Sequence, residues 1–306
     1  MVEKETILIV GTGAMACLFA GRLTAAGFPV VMLGSWPEAI ETLHEHGVTV
    51  IEADGSEHTH PVRVTRDPAV LQDVHFALVL VKSWQTQKAA RQIGRCLAKN
   101  GVALTLQNGL GNRETLVETL GAQRVALGVT TLGANLVAPG RIQAAGEGVV
   151  SVSIHSRLGG LVEKLRAAGF IIENAPDPDE LLWGKLVINA AINPLTAILG
   201  VTNGELLGRP TARALMVSLA REAAAVAVAL GIRLPYPDPV VAVESIARRT
   251  AANRSSMLQD ILRHAPTEID AICGAIVKAG EQANITTPIN RTMWQLIKAL
   301  TSAAGS

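Results

Sequence analysis

Apolar and polar positions follow two different rhythms along this chain, and the change falls near residue 174. Before it, short apolar runs alternate with amphipathic stretches. Thr6–Val10 predicts a buried strand and Ala14–Ala26 a helix, and Pro29–Leu33 with Pro37–His46 repeats the pair. A turn-rich segment around Asp54-Gly55 predicts a β-hairpin. Strand Phe76–Val81, helix Trp84–Leu97, strand Val102–Leu106 and helix Asn112–Leu120 continue the alternation. Val125–Leu132 and Ile142–Ile154 predict further strands that extend the sheet, before a helix at Leu158–Ala168 and a short strand at Ile171–Glu173. Such alternation implies a mostly parallel sheet covered on both faces, a doubly wound α/β arrangement of the Rossmann type.

Asn174-Ala-Pro-Asp-Pro-Asp179 is a connector with two prolines and two acids, and strand signals stop beyond it. Glu180–Gly200, Pro210–Leu230, Pro239–Arg249, Ser255–His264, Pro266–Asn284 and Pro288–Ser302 all predict helices. Several open on proline, whose missing N–H does no harm in a first turn. The expected organisation is a dinucleotide-binding domain over 1–174 and an all-helical substrate and catalytic domain over 175–306.

Length and composition fit that division. At 306 residues the chain exceeds one ordinary core. Its 49% hydrophobic and 17% charged residues describe a globular chain and not a disordered one. A net charge of +1, without a run of Lys or Arg, argues against a nucleic-acid surface. The longest apolar stretches, Phe76–Val81 and Ala223–Leu230, are too short to cross a bilayer, and no signal peptide is read. Cys17, Cys96 and Cys273 are widely spaced in apolar segments, as buried thiols of a cytoplasmic protein would be. No cluster has metal-ligand spacing, so no metal is expected.

Candidate chemistry begins where Ile7-Leu-Ile-Val10 runs into Gly11-Thr12-Gly13-Ala14-Met15-Ala16. A buried strand, a Gly-x-Gly-x-x-Ala turn and a helix in that order open a dinucleotide-binding βαβ unit. Gly11 permits the sharp turn, Gly13 lets backbone approach a pyrophosphate, and Ala16 is small enough for close helix–strand packing. The helix N-terminus favours the anion through its unpaired N–H groups and dipole. Lys82 and Asn108 each follow a buried strand directly, on the edge where open α/β sheets carry ligands.

In the helical half, Lys185, Asn189 and Asn193 recur every four residues in an otherwise apolar helix and so share one face. A buried amide without a partner costs about 1–3 kcal/mol, and an ammonium more. The stripe therefore faces a cavity, a ligand or a polar partner. Asn253–Asp260 and Pro266–Gly274 each read as a helix start, with Ser255 or Ser256 as an N-cap and Thr267 with Asp270 as a capping pair. Glu268 is then explained equally well by the helix dipole.

Six motifs stand in one order: Gly11-x-Gly-x-x-Ala, Val81-Lys-Ser-Trp-Gln-Thr86, Gln107-Asn-Gly-Leu-Gly111, Trp183 to Thr196, Ser255-Ser-Met-Leu-Gln-Asp260, and Thr267-Glu-Ile-Asp-x-Ile-x-Gly274. In them the chain resembles the 2-dehydropantoate 2-reductase (ketopantoate reductase) family over nearly all its length. The resemblance implies NADPH-dependent reduction of 2-dehydropantoate to (R)-pantoate, on the route to pantothenate and coenzyme A. It implies that Lys185 is the proton donor, that Glu268 orients it, and that Asn108, Asn189, Asn193 and Ser256 hold the substrate. It also places Lys82 and Asn108 beside the cofactor, in a cleft between the two domains.

One position departs from the family pattern. An Arg that would meet the 2′-phosphate of NADPH is expected just after the second strand, where this chain has Ser35. No Lys or Arg lies between Arg22 and Arg63, yet no Asp or Glu ends the strand to favour NAD. NADP(H) is thus expected with weakened selectivity, and NAD(H) stays open. So do two rivals, a reductase of another branched 2-oxo acid and a non-catalytic dinucleotide-binding sensor. A small-molecule substrate is expected, without a nucleic-acid or membrane partner. A homodimer is allowed, though no surface feature argues for it.

Overall fold

The computed structural model describes residues 5–302. They form two compact units, residues 5–107 with 112–178, and residues 108–111 with 179–302. The boundary thus falls at Pro178/Asp179 and not at 174/175, and the loop 108–111 belongs with the helical unit.

The first unit holds twelve strands in two sheets. They are β1 (Ile7–Val10), β2 (Val30–Leu33), β3 (Val48–Ile51), β4 (Glu57–His60), β5 (Arg63–Thr65) and β6 (Val74–Val79), followed by β7 (Leu97–Thr105), β8 (Val125–Thr130), β9 (Ala134–Ala138), β10 (Arg141–Ala144), β11 (Val149–Ser153) and β12 (Ile171–Ala175). The larger sheet runs β12-β11-β8-β7-β6-β1-β2-β5, and its strands from β8 to β5 are parallel. From β1 the chain winds outward to β2 and β5, then returns to β6 and winds the other way. That reversal puts the topological switch point at the carboxyl ends of β1 and β6. Both strands are covered on two faces, which is why they read as continuous apolar runs.

The smaller sheet, β4-β3-β10-β9, contains the hairpin expected around Asp54-Gly55 and packs on the helix α1 (Ala14–Ala25). Gly21 makes that packing close, because a Cβ there would lie 2.7 Å from Val50 Cγ2. On α1, Phe19 stacks on Phe170 with ring centroids 4.4 Å apart. Four more helices complete the unit, α2 (Pro37–His46), α3 (Thr86–Ile93), α4 (Asn112–Leu120) and α5 (Gly159–Ala167).

Two expectations need correction here. The helix expected over Trp84–Leu97 is only Thr86–Ile93 after a 3-10 turn at Ser83–Gln85, and Leu97 already opens β7. The stretch Ile142–Ile154 is not one strand, because a glycine turn at Gly146 (φ +84°) sends β10 and β11 into different sheets.

The second unit is built from α6 (Pro178–Leu199), α7 (Pro210–Ala229), α8 (Pro239–Arg249), α9 (Ser256–Leu262), α10 (Cys273–Gln282) and α11 (Pro288–Ser302). Its core is aliphatic, with Met216, Ala220 and Ala223 of α7 among the fully buried residues. The N-terminus of α11 is capped from another helix, since Glu222 of α7 accepts from the N–H groups of Ile289 (2.9 Å) and Asn290 (2.8 Å). By length and composition α6 could cross a membrane, but 72% of its most apolar window is buried. The helix expected over Pro266–Asn284 begins only at Cys273. Residues 267–272 form irregular turns in which the Glu268 carbonyl accepts from the N–H groups of Ala271 and Ile272 (both 3.1 Å).

Candidate active site

In the first unit the glycine turn leaves β1 at the switch point. Gly11 has φ +131°, a conformation open to glycine and costly for other residues, and its N–H donates to the Leu33 carbonyl of β2 (2.8 Å). A Cβ on Gly11 would press within 3.1–3.3 Å of the Leu80-Val81 peptide, so the turn lies directly against the segment that carries Lys82. Gly13 is the opposite case. Nothing stands within 4 Å of the position its Cβ would occupy, and it precedes a twelve-residue helix whose N-terminus has no side-chain cap. Open backbone at an uncapped helix N-terminus fits a pyrophosphate. Thr12 and Ala16 are buried, while Ala14 and Met15 are half-exposed beside the turn. Thr12 packs into the space a Gly34 side chain would need, which brings Ser35 alongside the turn as well.

A buried hydrogen-bond cluster fixes the Lys82 segment. The Gln107 amide nitrogen donates to the Val81 carbonyl (2.9 Å) and to Thr86 Oγ1 (2.8 Å), and its amide oxygen accepts from Thr105 Oγ1 (3.0 Å). Thr86 Oγ1 donates in turn to Asn112 Oδ1 (2.8 Å). Gln107 thereby ties the end of β7 to the turn after β6, while Lys82 starts the 3-10 turn at Ser83. Sequence reasoning missed this role. The available signal was a long amide directly after a buried apolar strand, where an unpaired polar group would be costly.

The second unit assembles the other candidates. Lys185, Asn189 and Asn193 lie along α6, with Asn193 only 6% exposed. Among the described residues the side-chain amides of Asn189 and Asn193 make no hydrogen bond, so the face they share is polar yet not saturated by the protein. Lys185 retains some solvent contact as a residue, but protein surrounds its ammonium closely. Burial lowers its pKa from 10.5 to about 8, and the charge of Glu268 opposes that fall. Glu268, 5% exposed, projects from the irregular turn before α10. The capping pair expected of Thr267 and Asp270 does not form, because the helix starts too late. Asp270 instead accepts from Trp294 Nε1 (2.7 Å) and Lys298 Nζ (3.2 Å).

Asn108 joins this group through its loop. Leu110 N–H donates to the Ala271 carbonyl (3.0 Å), and Gly109 has φ +82° with its Cα pressed against Ala271. The loop therefore docks on the turn that bears Glu268. Ser255 is the N-cap of α9, accepting from Leu258 N–H (3.1 Å) and from Thr196 Oγ1 of α6 (2.7 Å). That bond anchors Ser256, half-exposed at the first position of α9, to the part of α6 just beyond Asn193. Among the described residues, no group of three or more His, Cys, Asp or Glu could hold a metal ion. The three cysteines are buried and unbridged, and burial pushes the Cys17 thiol up to about 12.

Comparison with known proteins shows the family of the chain. Residues 7–157 match the family described as Ketopantoate reductase PanE/ApbA, and residues 177–301 match Ketopantoate reductase PanE/ApbA C terminal. The chain is 36% identical over 306 residues to a 2-dehydropantoate 2-reductase of Archaeoglobus fulgidus, covering 98% of this chain and 99% of that one. The chain belongs to the ketopantoate reductase family. A ketopantoate reductase structure from Ralstonia eutropha JMP134 superposes with a TM-score of 0.91 at 31% identity, over 98% of this chain and 100% of the other. A ternary structure of D-mandelate dehydrogenase with NADH and anilino(oxo)acetate gives the same TM-score at 26% identity, over 98% and 99%. The Rossmann-type unit followed by a helical unit is thus the ketopantoate reductase fold.

Proposed function

We propose that this protein reduces 2-dehydropantoate to (R)-pantoate at the expense of a reduced nicotinamide dinucleotide, within pantothenate and coenzyme A biosynthesis. The observation that carries the proposal is the ammonium of Lys185. It is buried enough to titrate at about 8, balanced by Glu268, and set on the same helix face as Asn189 and Asn193. When bound, the reduced nicotinamide supplies a hydride to the carbonyl carbon. Lys185 holds a proton for the carbonyl oxygen, polarising it and then neutralising the alkoxide. A pKa near the working pH suits a proton donor, which must be charged in the resting enzyme and still release its proton readily. Glu268 keeps the lysine protonated. Asn108, Asn189, Asn193 and Ser256 offer amide and hydroxyl groups to the substrate's carboxylate and hydroxyl. Gly11, Thr12, Gly13, Ala14, Met15 and Ala16 hold the pyrophosphate, with Lys82 toward the nicotinamide end.

The test is oxidation of NADPH and of NADH by the purified protein with 2-dehydropantoate. Turnover that disappears in Lys185→Ala supports the assignment. Nucleotide binding without turnover of 2-dehydropantoate overturns it in favour of another oxo acid or of a sensor. A second reading, reduction of a different 2-oxo acid, is favoured by the similarity to D-mandelate dehydrogenase. Turnover of branched and aryl 2-oxo acids in preference to 2-dehydropantoate decides for that reading.

A further inference from the structure

Ser35 leaves the end of β2 without the cation that a 2′-phosphate would require, but the end of β2 has a neighbour. Strand β5 pairs with it in parallel, with Val31 opposite Arg63, Met32 opposite Val64 and Leu33 opposite Thr65. The pairing continues past both strands, since Gly34 N–H donates to the Thr65 carbonyl (3.1 Å). By that register Arg66 emerges from β5 opposite Gly34, one residue before Ser35 on β2's carboxyl edge, and Asp67 comes opposite Ser35. Adjacent strands lie about 4.8 Å apart, well within the length of an arginine side chain.

The backbone at Arg66 is fixed. Thr65 Oγ1 accepts from Asp67 N–H (3.1 Å) and donates to the Asp67 carbonyl (3.2 Å), which holds Arg66 at the apex of a tight turn. The nearest carboxylate in sequence, Asp67, caps the following 3-10 turn through Ala69 N–H (2.8 Å). Arg66 is exposed and forms no ion pair among the described residues. Glu38, three residues after Ser35, is exposed in the first turn of α2. On the other side of Ser35, Gly34 abuts Thr12 of the glycine turn. One edge thus brings together the pyrophosphate turn, a hydroxyl in the family's arginine position, and an arginine from the adjacent strand.

We infer that Arg66 recognises the 2′-phosphate of NADPH, replacing from β5 the cation that β2 lacks, with Ser35 as a neutral hydrogen-bond partner. This inference rests on the dinucleotide-binding reading above. A single exposed guanidinium gives a modest preference, on the order of tenfold, which salt weakens. It also makes Arg66 a determinant of specificity that leaves NADH usable.

Binding of 2′,5′-ADP and of 5′-ADP, measured by calorimetry without any oxo acid, tests the inference. The expected result is tighter binding of 2′,5′-ADP by the unaltered protein and a preference that shrinks as salt rises. Arg66→Ala should abolish the preference with 5′-ADP affinity unchanged, and Ser35→Arg in that background should restore it. A preference retained in Arg66→Ala overturns the inference while the cofactor reading stands. Failure of the unaltered protein to bind either nucleotide overturns both.

Discussion

Glu268 raises the proton affinity of Lys185 while burial lowers it, and burial is the stronger influence, leaving the ammonium at about 8 in place of 10.5. A proton donor with this pKa is present below pH 8 and lost above it. The value of kcat should therefore fall about tenfold per pH unit on the alkaline side of pH 8. Removing the carboxylate charge in Glu268→Gln takes away the influence that raises the pKa, so the alkaline limb should move to lower pH. A pH–rate profile under saturating nucleotide and substrate checks both points, and a limb that moves upward contradicts the pairing.

Truncation of the donor separates chemistry from binding. Lys185→Ala should lower kcat by at least ~10²-fold, the low end for a general acid. The affinity for NADPH, followed by nucleotide fluorescence, should stay nearly constant. Turnover close to that of the unaltered enzyme would remove Lys185 from its proposed role.

Much of this was legible because it lay in local pattern. Gly11-x-Gly-x-x-Ala sits between a strand and a helix as expected, and the four-residue spacing of Lys185, Asn189 and Asn193 puts them on one face of α6. What stayed hidden depended on long-range pairing. The attachment of Asn108 to the helical unit rests on a bond from Leu110 to Ala271, more than 150 positions away, and no periodicity encodes it. The proximity of Arg66 to Ser35 follows from the pairing of β5 with β2. The late start of α10 defeated the helix signals at Pro266 and Thr267, because the buried Glu268 turn overrides local propensity there.

Gln107 offers a test of that non-local order. Gln107→Met keeps the length and shape of the side chain but makes none of its three side-chain hydrogen bonds, leaving the half-buried Val81 carbonyl and the buried hydroxyls of Thr86 and Thr105 short of partners. Stability should fall by about 1–3 kcal/mol. Urea unfolding should show a lower midpoint with an unchanged slope, and nucleotide affinity should weaken as the Lys82 turn loosens. An unchanged midpoint would mean the cluster contributes nothing net.

Lys185 also couples stability to pH. Its folded pKa lies below its unfolded value, so between pH 8 and 10.5 the unfolded chain binds more protons at this site than the folded protein does. Stability from this group therefore increases with pH across that window. The stability difference between the unaltered protein and Lys185→Gln should shift in favour of the unaltered protein from pH 8 to 10. Comparing urea midpoints at the two pH values measures it, and a difference that shifts the other way would mean the lysine is not depressed.

Gly109 is where conformation, packing and proposed chemistry meet. Its φ of +82° costs an L-residue about 1–2 kcal/mol, and a Cβ there would also overlap the Ala271 carbonyl. Gly109→Ala must therefore either lift the 108–111 loop or displace the turn that carries Glu268. Both movements separate Asn108 from the lysine and carboxylate of the helical unit, while the Gly11–Ala16 turn is untouched. The expected signature is a rise of about tenfold or more in KM for the oxo acid with the Kd for NADPH unchanged. If nucleotide affinity falls as much as KM rises, the loop serves the cofactor first, and Asn108 acts mainly beside the nicotinamide.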